Sequence, residues 1–149
     1  MRDASNFSVV LLDVDGLKGV NDEYGHAEGD RLLRSLAATL MRSARADDLV
    51  CRVGGDEFAI LLAGFDATAA RAVGQRIQRE TDALQAGVGI SFGISDWATD
   101  GPATEAMLLR ADVALYAAKK SRFGIVGVTG RSRSRSAIDG PRQAGLRSA

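Results

Sequence analysis

The sequence predicts an α+β fold: a mixed central sheet with helices packed on it, in the order β-α-α-β-β-α-β-α-β. Three observations predict it. The chain has 149 residues, 46 % hydrophobic and 26 % charged, which suits one domain with a buried core. Five short apolar runs are separated by three long segments with apolar residues at helical spacing. Two of the runs adjoin through a Gly-Gly pair, so hairpins as well as helical crossovers build the sheet.

Phe7 to Leu12 is strongly apolar and reads as a buried strand ending at Asp13-Val14-Asp15-Gly16. Gly16 and Gly25 bracket a short helix or turn containing Val20, Asn21 and Tyr24. From Glu28 to about Arg45, Leu32, Leu33, Leu36, Leu40 and Met41 mark one helical face, and Asp47-Asp48 ends the helix. Leu49–Val53 and Phe58–Leu62 are strands joined through Gly54-Gly55-Asp56-Glu57, where paired glycines fit a primed turn with positive φ. Asp66 is placed to cap the next helix, whose face carries Ala69, Ala70, Val73, Ile77 and Leu84. Val88–Ile94 is a strand thinned by Gly89 and Gly93. Thr99-Asp100-Gly101-Pro102 is a loop. Thr104 opens a helix through Met107, Leu108, Ala111, Leu115 and Ala118, and Gly124–Val128 is a last edge strand.

Composition excludes several chemistries. Cys51 is the sole cysteine and His26 the sole histidine, so no disulfide framework, Cys-rich zinc site or multi-His centre is available. No apolar run approaches the ~20 residues of a spanning helix, and the first residues have no signal-peptide core. A cytoplasmic location is the expectation. The zero net charge is a sum of opposites: residues 1–130 hold 14 basic and 18 acidic side chains, residues 131–149 hold five Arg and one Asp. The body of the domain is therefore read as 1–128, and 129–149 as a disordered basic Arg/Ser tail, a solvated terminus rather than a nucleic-acid contact.

The chemistry gathers at strand ends. Alternate strand residues share a face, so Asp13 and Asp15 point the same way. If the first strand lies beside the hairpin, Asp56 and Glu57 bring three or four carboxylates together, and at least one pKa rises. Singly, Asp13 reads better as a helix cap and Asp56-Glu57 as a solvated turn. Together they suit a hard divalent cation, Mg²⁺ or Mn²⁺, with positions left for phosphates. That points to phosphoryl or nucleotidyl transfer. His26 reads as a structural hydrogen-bonder, Cys51 as buried packing, Trp97 and Tyr116 as packing residues, and Arg52 as a partner for Asp56 or Glu57 in an inactive state.

Gly54-Gly55-Asp56-Glu57-Phe58 resembles the signature of the GGDEF family, the diguanylate cyclases. Leu12-Asp13-Val14-Asp15-Gly16-Leu17-Lys18, Asn21-Asp22-Glu23-Tyr24-Gly25-His26, Gly29-Asp30 and Leu115-Tyr116-Ala117-Ala118-Lys119 are similar to its further elements, and the likeness covers about residues 7–124. The resemblance implies a palm-like fold of the nucleotidyl cyclase type and the joining of two GTP into cyclic di-GMP by a homodimer. It implies a metal site of Asp13, Asp56 and the Val14 carbonyl. It implies guanine bonds from Asn21 and Asp30, phosphate contacts from Lys18 and Lys119, and a close phosphate approach at Gly54 and Gly55. Glu57 would help deprotonate the 3′-hydroxyl or hold a metal. Arg45 and Asp48, an Arg-x-x-Asp five residues before Gly54, with Arg76 would form an inhibitory site for the product.

Relatives carry a "D-x-LT-x-L-x-NR" segment and a helix ahead of the first strand, whereas Met1 stands six residues before Phe7. This reads as an N-terminally shortened domain with apolar surface uncovered. After Lys119, Arg122 and Phe123 depart from the family's "GRN" ending. These departures motivate the alternative of a module that binds GTP or cyclic di-GMP as a signalling receptor.

Overall fold

The structure, a computed structural model, describes residues 6–84, 88–97, 104–121 and 125–127. Its elements follow the predicted order: β1 (Phe7–Asp15), α1 (Leu17–Tyr24), α2 (His26–Ser43), β2 (Leu49–Arg52), β3 (Glu57–Ala63), α3 (Ala67–Asp82), β4 (Gly89–Asp96), α4 (Thr104–Lys120) and β5 (Ile125–Gly127). The strands lie in the order β2-β3-β1-β4-β5. The first four pair antiparallel, and β5 runs parallel to β4. The sheet is therefore mixed, as the sequence predicts, and β1 is its centre.

Strand periodicity divides the side chains of β1 between two layers. Val10, Leu12 and Val14 join Phe58, Ile60, Leu62, Ile90, Phe92 and Ile94 on one face. Leu33, Leu36 and Leu40 of α2 and Ala70, Val73 and Ile77 of α3 cover that face. The other face is thinner. Val9 packs there with Met107 and Ala111 of α4, flanked by Phe7, Leu11, Leu61 and Trp97. Gly93 explains how closely α4 approaches. A Cβ at that position would run into the Ala111 carbonyl and the Leu115 backbone.

Helix ends follow local chemistry. Gly16 turns the chain from β1 into α1 with φ 86°, and Gly25 separates α1 from α2 with φ 89°, both in the region that favours glycine. The Asp66 carboxylate accepts from the Ala69 N–H at 2.8 Å, which is the predicted cap of α3.

Several expectations are corrected. Gly54 and Gly55 are not among the positive-φ glycines, because a four-residue connection, Val53 to Asp56, replaces the two-residue primed turn. Cys51 is exposed, not buried: β2 is an edge strand with an open outer face. Tyr116 is exposed on α4 with the Lys120 ammonium 4.6 Å from its ring, while Trp97 packs on Phe7 as expected. Leu84 lies beyond α3, and Met41 faces outward on α2. The loop expected at Thr99–Pro102, residues 122–124, Val128 and the tail expected at 129–149 lie outside the described residues. Among the described residues no helix is long and apolar enough to cross a membrane.

Candidate active site

The β1–β3 register sets Asp13 opposite Glu57. One step further, the Val14 N–H donates to the Asp56 carbonyl at 3.0 Å. In an antiparallel pair a residue's N–H and C=O face the same neighbour, so the Val14 carbonyl also faces the hairpin. The predicted trio of Asp13, Val14 and Asp56 is thus gathered by sheet pairing.

Asp13 is 4 % exposed. Burial raises its carboxyl above the ordinary value, and the charges of Asp56 and Glu57 push the same way. Against them, the Lys119 ammonium donates to Asp13 Oδ2 at 2.7 Å. Burial pulls Lys119 down, but its bond to Asp13 and the charges of Asp13, Asp15 and Asp56 outweigh that and hold it above the usual lysine range.

The expected cluster of three or four carboxylates is smaller than predicted. Among the described residues no group of three or more His, Cys, Asp and Glu side chains stands together to hold a metal. Two contacts explain the difference. The Ser91 hydroxyl donates to Asp15 Oδ2 at 2.6 Å and ties that acid to β4. Glu57 leans back under the hairpin, where its Oε2 lies 2.9 Å from the place of a Cβ on Gly54. The remaining donors still fit a hard cation: they are oxygens, and a positive charge, the Lys119 ammonium, already stands on Asp13.

Two of the cavities beside the hairpin hold acids and lysines of the site. The larger, about 520 Å³, is lined by Lys18, Asn21 and Asp30 from the helices and by Gly55 and Asp56 from the hairpin. Leu17 and Leu33 supply apolar walls, and Asp22, His26 and Arg52 complete it. Its size is that of a small-molecule site. Asn21 Oδ1 is buried without a hydrogen-bond partner, a cost that a ligand donor would remove. Gly29 makes room for it, since a Cβ there would overlap the Asn21 carboxamide. The smaller cavity, about 270 Å³, holds Glu57 and Lys119 beside Asp112, Val113 and Tyr116 of α4.

A third cavity, about 240 Å³, lies between α2 and α3 and is lined by Ser43, Arg45, Asp48, Phe65, Val73 and Arg76 among others. All three residues named for the second site are therefore together. The Arg45 guanidinium sits 4.5 Å from the Phe65 ring centroid. Asp48 accepts from the Arg45 N–H at 2.8 Å and the Ala63 N–H at 3.0 Å, and Arg76 donates to the Ser43 carbonyl at 2.9 Å.

Arg52 is corrected. Its guanidinium pairs with neither Asp56 nor Glu57 but donates to the carbonyls of Gly54 at 3.2 Å and Gly55 at 2.6 Å. Sequence reasoning also undervalued His26, Leu17, Leu33 and Ser91. The approach of α1 to α2, signalled by Gly29, was the cue available for the cavity walls.

Comparisons with known proteins agree with this geometry. The family description "Diguanylate cyclase, GGDEF domain" matches residues 1–124. Diguanylate cyclase A of Treponema denticola is 36 % identical over 121 residues, covering 76 % of this chain and 33 % of the relative. The response regulator PleD of Caulobacter vibrioides is 37 % identical over 130 residues, covering 80 % and 29 %. This chain thus spans a third or less of these two relatives. The GGDEF domain of DgcB from Caulobacter crescentus, solved in complex with c-di-GMP, superposes with a TM-score of 0.76 at 27 % identity, over 82 % of this chain and 77 % of that one. The active GGEEF domain of a diguanylate cyclase from Vibrio cholerae gives 0.77 at 25 % identity, over 83 % of each. The chain belongs to the GGDEF family of diguanylate cyclase domains.

Proposed function

We propose that the chain condenses two GTP molecules into cyclic di-GMP with release of two pyrophosphates, working as a homodimer in which each copy holds one GTP. The observation that carries this reading is the Val14–Asp56 backbone bond, which draws the Gly-Gly hairpin against the strand end that carries the buried Asp13, beside a nucleotide-sized cavity.

Each residue then has a task. Asn21 and Asp30 bond the guanine edge, with Leu17 and Leu33 as apolar walls. An aspartate accepting from both N1–H and the exocyclic amine selects guanine over adenine. Lys18 meets the phosphates as a point charge, and Lys119 exchanges Asp13 for a phosphate oxygen. Gly54 and Gly55 let the phosphates approach the backbone. Asp13, Asp56 and the Val14 carbonyl are the residues to hold Mg²⁺ or Mn²⁺, which when bound neutralises phosphate charge and raises the acidity of the 3′-hydroxyl. The 3′-oxygen of one nucleotide bonds to the α-phosphorus of the other as the bond to pyrophosphate breaks. Glu57 accepts the hydroxyl proton. Facing copies supply orientation, which provides much of the rate.

The α2–α3 cavity is the proposed brake. Arg45, Asp48 and Arg76 bind the product there, with guanidinium groups stacking on guanine or forking onto its acceptors and phosphates. The purified chain and Asp56→Ala, assayed side by side with GTP and Mg²⁺ at dimerising concentrations, test the main reading. Product from the first and none from the second is the expected result. No product from either sinks it.

A further inference from the structure

We infer that Arg52 is a positioning residue that sorts the dipoles of the hairpin tip, tying its carbonyls down and leaving two successive N–H groups for an anionic phosphate. The inference rests on the function proposed above but names a device that function does not require.

The connection from Val53 to Asp56 has no regular pairing of its own, so its four carbonyls and N–H groups need partners. Three of the four carbonyls are engaged. Arg52 Nε and Nη2 reach the Gly54 and Gly55 carbonyls, and the Asp56 carbonyl accepts from the Val14 N–H. Two of the four donors are engaged as well, the N–H groups of Val53 at 3.0 Å and Gly54 at 3.3 Å, both on the Glu57 carbonyl of β3. The other two donors are not. Among the described residues the N–H groups of Gly55 and Asp56 find no acceptor. Gly55 and Asp56 line the larger cavity, and a Cβ on Gly55 would meet nothing within 4 Å.

A planar guanidinium is suited to this task. Its N–H groups form a rigid fork that can span two adjacent carbonyls, which a single ammonium does not reproduce. Its charge also draws the negative ends of the two peptide dipoles to itself and turns the positive ends away. Successive N–H groups presented together form an anion-binding concavity. Phosphates approaching Gly55 thus meet donors already aimed at them, with no reorganisation at the moment of reaction.

The test uses the ligand-free chain first. Hydrogen exchange in Arg52→Ala is expected to accelerate at least about tenfold at the Val53, Gly54 and Val14 amides, whose bonds hold the hairpin, with the interior of β3 unchanged. Turnover of GTP with Mg²⁺ is expected to fall about tenfold or more, with KM raised, and Arg52→Lys to restore neither the exchange nor the rate. Unchanged exchange in Arg52→Ala overturns the inference. So does full rescue by Arg52→Lys, which would make Arg52 a simple counter-charge. The exchange measurement needs no nucleotide. An inactive wild type whose hairpin still loosens in Arg52→Ala would therefore break the functional proposal and leave this one standing.

Discussion

Asp13 and Asp48 are acids held by opposite means. Asp48 has each carboxylate oxygen bonded to a backbone N–H, from Arg45 and Ala63, so it welds the α2–β2 connection to the end of β3. Asp13 is more deeply buried, yet its bond is to the mobile end of a lysine. Backbone donors stay where the fold puts them, whereas a lysine head can be displaced. The difference separates an acid that builds the structure from one that, in the proposed function, is kept available for a cation.

The largest test of that division is at Asp56. Asp56→Ala is expected to lower GTP turnover at least about a thousandfold, as removal of a reaction-centre acid does. Cyclic di-GMP binding at the Arg45–Asp48 cavity should persist, read by calorimetry. Arg45→Ala should do the reverse, weakening product binding and leaving turnover at low product intact. If Asp56→Ala also abolishes product binding, the two regions are not separate.

Asp48→Ala comes next. It strands two N–H donors, and a loss of about 1–3 kcal/mol in urea unfolding is expected. Asp13→Asn should behave oppositely, keeping the fold while removing turnover. A large stability loss for Asp13→Asn, with none for Asp48→Ala, would invert the contrast.

Why these two acids differ was only half legible in the sequence. Asp13 stands at a strand end, and period-two reasoning gives its face; that one acid of the cluster has a raised pKa follows once the strand lies beside the hairpin, although burial is the largest cause at Asp13. The second site came from the resemblance to the family, through Arg45, Asp48 and Arg76, and the fold sets these three around one cavity. Partners chosen by tertiary packing were not readable. Nothing local distinguishes Lys119 on Asp13, Ser91 on Asp15, or Arg52 on glycine carbonyls from the pairings expected by adjacency. The same limit explains Cys51. Its strand pattern is that of any half-buried β-strand, and exposure follows from β2 lying at the sheet edge.

A smaller effect concerns pH. The Asp13 carboxyl sits above the ordinary aspartate value of 3.8 in the fold, burial being the largest cause. The folded state therefore holds the proton more tightly than the unfolded chain. Its contribution to stability is complete below about 3.8 and is lost as pH rises through the raised folded value. In metal-free buffer, the wild type should lose stability relative to Asp13→Asn across that interval. Mg²⁺ should recover the difference at neutral pH for the wild type alone. Parallel stability curves for the two proteins, with no Mg²⁺ response, would show that Asp13 is as structurally committed as Asp48.

The smallest effect separates the hairpin glycine from the packing glycine. Gly93 is filled from outside by the α4 backbone, and nothing can be added there. Gly55 has open space where a Cβ would stand and a backbone conformation that other residues adopt. Gly55→Ala should therefore raise stability by about 0.4–1 kcal/mol, because the substitution restricts the unfolded chain. Turnover should nevertheless fall, since the added methyl projects where phosphates are proposed to approach. A gain in stability with unchanged kcat and KM would mean that no ligand comes close to Gly55. The open space would then belong to the turn rather than to the reaction.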